Sequence, residues 1–164
     1  MGDLSLQRAA GALGAWVSGV GLADVAESDR VYARVRQALV EHEVLFFRDQ
    51  DVAPQVFAAF AQCFGEVLDH PAYATTEQSD AVQILESTPE NPSKIELWHS
   101  DMTFMGEPPN FTLLQGKIIP AVGGDTLWAS ATAAYASLSP GLQELLQPLT
   151  CLLYTSDAAD DLRC

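Results

Sequence analysis

The chain has 164 residues and carries 22 acidic against 8 basic side chains, a formal charge of −14. That charge argues against nucleic acid as a partner, because such binding depends on neutralising phosphates, and no apolar run is long enough to span a membrane. A hydrophobic content of 48% suits a folded core, and the length suits one domain or part of one. The opening stretch, Met1 to Ala15, holds one arginine and no apolar segment before a small-residue cleavage site, so a cytoplasmic location is expected.

Taken in chain order, Leu13 to Leu22 mixes β-formers with three glycines and predicts a short strand with tight turns. Ser28 or Asp29 can cap a helix running to about Glu43, with Val31, Val35, Ala38 and Leu39 on its apolar face. Val44 to Phe47 is a short apolar strand, stopped by the polar Arg48-Asp49-Gln50-Asp51. Pro54 suits the first turn of a second helix, ended by Gly65, with Phe57, Phe60, Ala61 and Phe64 as its buried stripe. Ala81 to Leu85 reads as a strand, Thr88 to Lys94 as a loop, and Leu97 to Phe104 as another strand. After the turn at Glu107-Pro108-Pro109-Asn110, Phe111 to Ile119 predicts a further strand and Asp125 to Trp128 an extended segment. Short helices are expected to start at Ser130 and at Ser139-Pro140. Three cysteines make no disulfide framework in a chain of this size, and Cys63 reads as a small buried hydrophobe.

His99 and Asp101 stand two positions apart on the predicted strand Leu97 to Phe104, so both side chains would share one face. An imidazole nitrogen and a carboxylate oxygen are two of the three donors in the 2-His-1-carboxylate triad that holds non-haem Fe(II). The third donor should be a later histidine, whereas His42 and His70 both lie upstream. On spacing alone His99 also reads as a hydrogen-bonded core or surface histidine, and Asp101 as a turn acid.

Trp98-His99-Ser100-Asp101-Met102-Thr103-Phe104, then Pro108-Pro109, then Gly123-Gly124-Asp125-Thr126-Leu127-Trp128 resembles the taurine/2,4-D dioxygenase family. Leu45 to Gln50, Phe60 to Gly65 and Ala134 to Ser139 match as well, so the resemblance runs in order over residues 10–148. It implies an α+β fold: an incomplete double-stranded β-helix (jelly roll) with flanking helices, its C-terminal half missing. The implied activity is Fe(II)- and 2-oxoglutarate-dependent hydroxylation, with O2, of a small organic acid such as taurine or a related sulfonate. No nucleic-acid or membrane partner is expected, and a homo-oligomer is compatible with the family.

Residue by residue, the resemblance makes His99 and Asp101 the first two iron ligands and Thr126 a contact to the distal carboxylate of 2-oxoglutarate. His70 and Tyr73 match positions that contact the substrate's sulfonate, and Met102 and Phe104 match either a pocket wall or ordinary core. Ile95 stands where taurine-specific members have an asparagine, so a taurine amine would lose a partner there. The family's distal histidine and its cosubstrate-gripping arginine fall beyond residue 150, so this chain by itself is expected to be inactive.

Cys151 to Cys164 resembles the in-frame translation of a transposase-type sequencing adapter, which makes residues 1–150 the expected domain and 151–164 a non-native tail; a natural polar tail is the alternative. Without the tail there are three acids and one arginine fewer, and the charge is −12. Two other functional readings stand beside the main one. One is a non-catalytic jelly-roll binding or structural module, and the other is the same oxygenase chemistry on an aryloxyalkanoate or alkyl sulfate.

Overall fold

A computed structural model describes residues 2–68, 73–92 and 97–150. The chain starts with strand β1 (Ser5–Arg8), turns back, and pairs antiparallel with β2 (Ala15–Ser18), placing Leu6 opposite Val17. Alternation decides the faces of β2: Ala15 and Val17 are buried, whereas Trp16 and Ser18 point away. Helix α1 (Leu22–Glu27) follows at once, its Gly21 N–H donating to the Asp24 carboxylate at 2.8 Å. The sequence pattern did not reveal β1 or α1: β1 is exposed along its whole length, and α1 is too short for a period of 3.6 to show.

Helix α2 (Asp29–His42) forms where predicted, with the Ser28 hydroxyl accepting from the Val31 N–H at 3.4 Å. It buries Val31, Val35 and Ala38, while Leu39 is half-buried. The helix is the crossover that lets β3 (Leu45–Phe47) lie parallel to β2, with Trp16 opposite Phe46, as a parallel pair requires. Helix α3 (Pro54–Gln62) starts on its proline and brings Phe60 under the sheet. Phe60 meets Phe47 and Phe64 edge to face, with ring centroids 5.8 and 5.2 Å apart. Leu4, Val17, Val20, Leu22, Val25, Val31, Val35 and Phe60 form one core, so the packed part of the molecule belongs to the first 65 residues.

Beyond it the structure opens. Strands β4 (Thr75–Thr76) and β5 (Ser79–Gln83) make a two-stranded ribbon, two residues earlier than the predicted strand, leaving Ile84 and Leu85 exposed. The strands expected at 97–104 and 111–119, and the extended run at 125–128, do not pair with any described strand, and those residues are turns and irregular backbone. A strand is held by a neighbour's backbone groups, and propensity cannot replace that partner. Side chains do the anchoring instead. Gln115 donates to the Gln50 carbonyl at 2.8 Å, Lys117 to Asp51 and the Val52 carbonyl at 3.0 Å each, and Phe111 packs on Phe64 at 5.5 Å.

Helices α4 (Ala131–Ala136) and α5 (Pro140–Leu146) are capped by Ser130 and Ser139, as expected, but neither buries a residue. Large apolar side chains such as Ile118, Val122, Leu127 and Leu145 lie exposed. The described residues are thus α+β, with a three-stranded mixed sheet and a ribbon but no assembled jelly roll. Among them no helix is long and apolar enough to cross a membrane.

Candidate metal centre

His99 and Asp101 come together, though not on a strand. Their segment is a turn: Met102 adopts φ 52°, Met105 N–H donates to the Met102 carbonyl at 3.0 Å, and the Thr103 hydroxyl donates to the Ser100 carbonyl at 3.4 Å. A positive φ on a side-chain-bearing residue is uncommon, and here it falls directly after Asp101. His99 Nε2 lies 3.2 Å from Asp101 Oδ1, with side-chain exposures of 25% and 45%.

The other ring nitrogen fixes the tautomer. His99 Nδ1 stands 2.8 Å from the Leu97 carbonyl oxygen, which can only accept, so Nδ1 carries the proton. In the neutral ring Nε2 therefore presents its lone pair to the carboxylate. Two such acceptors at 3.2 Å repel unless a cation lies between them, either a proton or a metal ion. Adjacent donors on an octahedral ion with bonds of ~2.1 Å are ~3.0 Å apart, close to the observed separation. A backbone carbonyl accepting from the far nitrogen is also the usual support of a metal-bound histidine. The donor set fits a hard or borderline divalent cation and supplies two ligands. Among the described residues no group of three His, Cys, Asp or Glu converges.

No hydrogen bond joins Thr126 to this pair among the described residues, and neither His99 nor Asp101 lines the cavity beside it. Thr126 lines this open cavity of about 500 Å³ with Trp16 and Phe46 on one wall and Leu127, Trp128 and Ser130 on the other. The lining is almost entirely apolar. Arg48 stacks on Trp16, its guanidinium carbon 4.4 Å from the ring centroid, which brings a cation to that wall. Tyr73 is half-buried ahead of β4, and Met102 and Phe104 are half-buried beside the pair. His70 and Ile95 lie outside the described residues. The support from the Leu97 carbonyl has no signature in sequence, since every residue has a carbonyl.

The family model for the taurine catabolism dioxygenase TauD, TfdA family matches residues 5–160. An alkylsulfatase of Acinetobacter baylyi is 34% identical over 151 residues, 92% of this chain and 47% of the relative. An alpha-ketoglutarate-dependent sulfate ester dioxygenase of Pseudomonas putida is 34% identical over 90% of this chain and 48% of the relative. A crystal structure from Burkholderia xenovorans, assigned as an alpha-ketoglutarate-dependent taurine dioxygenase, superimposes with a TM-score of 0.73 at 31% identity. It matches 89% of this chain and 52% of that one. The chain spans about half the length of the curated relatives it matches. With a family model matched over residues 5–160 and relatives 34% identical over nine tenths of its length, this chain belongs to the TauD/TfdA dioxygenase family.

Proposed function

We propose that this chain supplies two iron ligands, His99 and Asp101, to an Fe(II)- and 2-oxoglutarate-dependent dioxygenase acting on a small sulfur oxyanion, a sulfonate such as taurine or a sulfate ester. The single observation that carries the reading is the pair itself: Nε2 aimed at Oδ1 across 3.2 Å, with Nδ1 committed to the Leu97 carbonyl. When bound, iron and 2-oxoglutarate supply the oxidising chemistry with O2, and the protein supplies geometry.

The roles of this chain's residues follow. Leu97's carbonyl holds the imidazole in the tautomer that leaves Nε2 free to ligate. The Met102 turn keeps the carboxylate on the same side. Thr126 offers a neutral hydroxyl to the distal carboxylate of 2-oxoglutarate. His70 and Tyr73 are the proposed contacts to the substrate anion. The remaining histidine ligand and the cosubstrate's arginine would come from beyond residue 150, and residues 151–164 stand in place of natural sequence. The setting is the cytoplasm, where the free Cys63 remains a thiol.

The sulfate-ester form of the reading is favoured by two relatives, named alkylsulfatase and sulfate ester dioxygenase. Ile95 agrees with it, because an aliphatic residue leaves a taurine amine unpaired at a cost of about 1–3 kcal/mol.

The test is substrate-coupled succinate formation by this chain and by the protein translated from the source reading frame continued past Thr150. The longer protein should couple 2-oxoglutarate to alkyl sulfates or sulfonates and lose turnover in His99→Ala and Asp101→Ala, while the 164-residue chain gives none. Stoichiometric succinate from the 164-residue chain, or an unaffected His99→Ala protein, would overturn the reading.

A further inference from the structure

Ser130 is the buried polar residue of the described structure, 8% exposed. Its hydroxyl accepts from the Ala133 N–H at 2.9 Å, capping α4, and donates to Glu43 Oε1 at 2.9 Å across 87 residues of sequence. Among the described residues, that second bond is the one hydrogen bond joining 118–150 to the packed N-terminal body. Everything between Lys117 and Ser130 lacks such a tie, and that stretch includes Thr126 to Ala129, one wall of the apolar cavity. Glu43 is an unusual residue for its place. It is the C-cap of α2 with φ 64°, its N–H donating to the Leu39 carbonyl at 2.8 Å, in a conformation that favours glycine. The helix end would be more comfortable without a side chain, and the side chain present reaches Ser130.

We propose that Glu43 is a positioning residue: acting through Ser130, its carboxylate holds the Thr126–Ala129 wall against the Trp16–Phe46 face of the sheet. A cap alone would explain the Ala133 bond but leaves the Glu43 bond without a purpose. The consequence for cosubstrate binding rests on the role proposed above for Thr126, whereas the latch itself does not.

Hydrogen exchange of the 164-residue chain, read by mass spectrometry, separates the two roles. Glu43→Ala should speed exchange across residues 126–136 about threefold to tenfold, the worth of one partly exposed charged hydrogen bond, and leave β2 and the first turns of α2 unchanged. Ser130→Asp keeps an excellent helix cap but sets carboxylate against carboxylate, so it should loosen the same residues. Adding Glu43→Gln, which can donate to the new aspartate, should restore near-original exchange. Unchanged exchange in Glu43→Ala, or no rescue of Ser130→Asp by Glu43→Gln, overturns the latch. In the protein continued past Thr150, Glu43→Ala should raise KM for 2-oxoglutarate about threefold or more with kcat within about twofold, and Glu43→Gln should restore it. An unchanged KM beside faster exchange overturns the positioning role. A wild-type protein that consumes no 2-oxoglutarate overturns the proposed function, and the exchange results then decide the latch by themselves.

Discussion

Replacing Phe60 by alanine should nearly unfold this protein, and the size of the effect follows from three observations. Phe60 is 6% exposed, so truncation removes most of a ring from the core. Roughly 100 Å² of lost apolar burial at about 25 cal/mol per Å² is ~2.5 kcal/mol. The edge-to-face partners Phe47 and Phe64 lose their ring contact as well, adding about 0.5–1.5 kcal/mol each. The expected loss is therefore about 4 kcal/mol, within the usual range for a buried phenylalanine. A single core within the first 65 residues puts total stability near the low end of about 5–15 kcal/mol, so little would remain. Urea unfolding followed by far-ultraviolet circular dichroism measures it, with Phe60→Leu as a control that keeps most of the volume and should cost less than half as much. A loss below about 1.5 kcal/mol in Phe60→Ala would refute the claim that the α3–sheet contact carries the fold.

Other expectations bear on the hairpin, the acid limb and the metal pair. Gly19 has φ 83°, and a Cβ there would collide with the Asp3 carbonyl oxygen; Gly19→Ala should cost at least about 2 kcal/mol by the same urea assay. The hydrogen bond and charge of Arg34 hold the Asp3 carboxyl below its ordinary pKa. That stabilisation is complete above the unfolded aspartate value and is lost as pH falls through the lower folded value. Urea midpoints of wild type and Asp3→Asn should therefore differ at neutral pH and converge in strong acid, and parallel curves would sink the assignment. Mn(II) titration of the 164-residue chain should show weak binding that His99→Ala or Asp101→Ala weakens about tenfold or more; equal binding in both variants would place the metal elsewhere.

The N-terminal half was legible because local rules and tertiary packing agree there. Ser28 caps α2, Pro54 opens α3, and the apolar period of α2 names the residues that are buried. The strands expected after residue 96 were misread for one reason: residues such as Phe111 to Ile119 have the composition of a strand, but composition cannot supply a neighbour to pair with. Spacing in the sequence brought His99 and Asp101 side by side, yet by the wrong geometry. The two side chains meet through a left-handed residue at Met102 rather than through the alternation of a strand. Glu43 was missed because nothing in sequence links a helix terminus to a serine 87 residues later.

The apolar side chains left exposed beyond residue 84 have a calorimetric consequence. Ile118, Val122, Leu127 and Leu145 are already in contact with water in the folded chain. Its heat-capacity increment should therefore fall below that of a closed domain of equal length. A flatter stability curve results, with a broad thermal transition and little tendency to cold denaturation. Melting should also proceed unevenly, α4 and α5 losing their helicity at temperatures where the sheet and α2 remain intact.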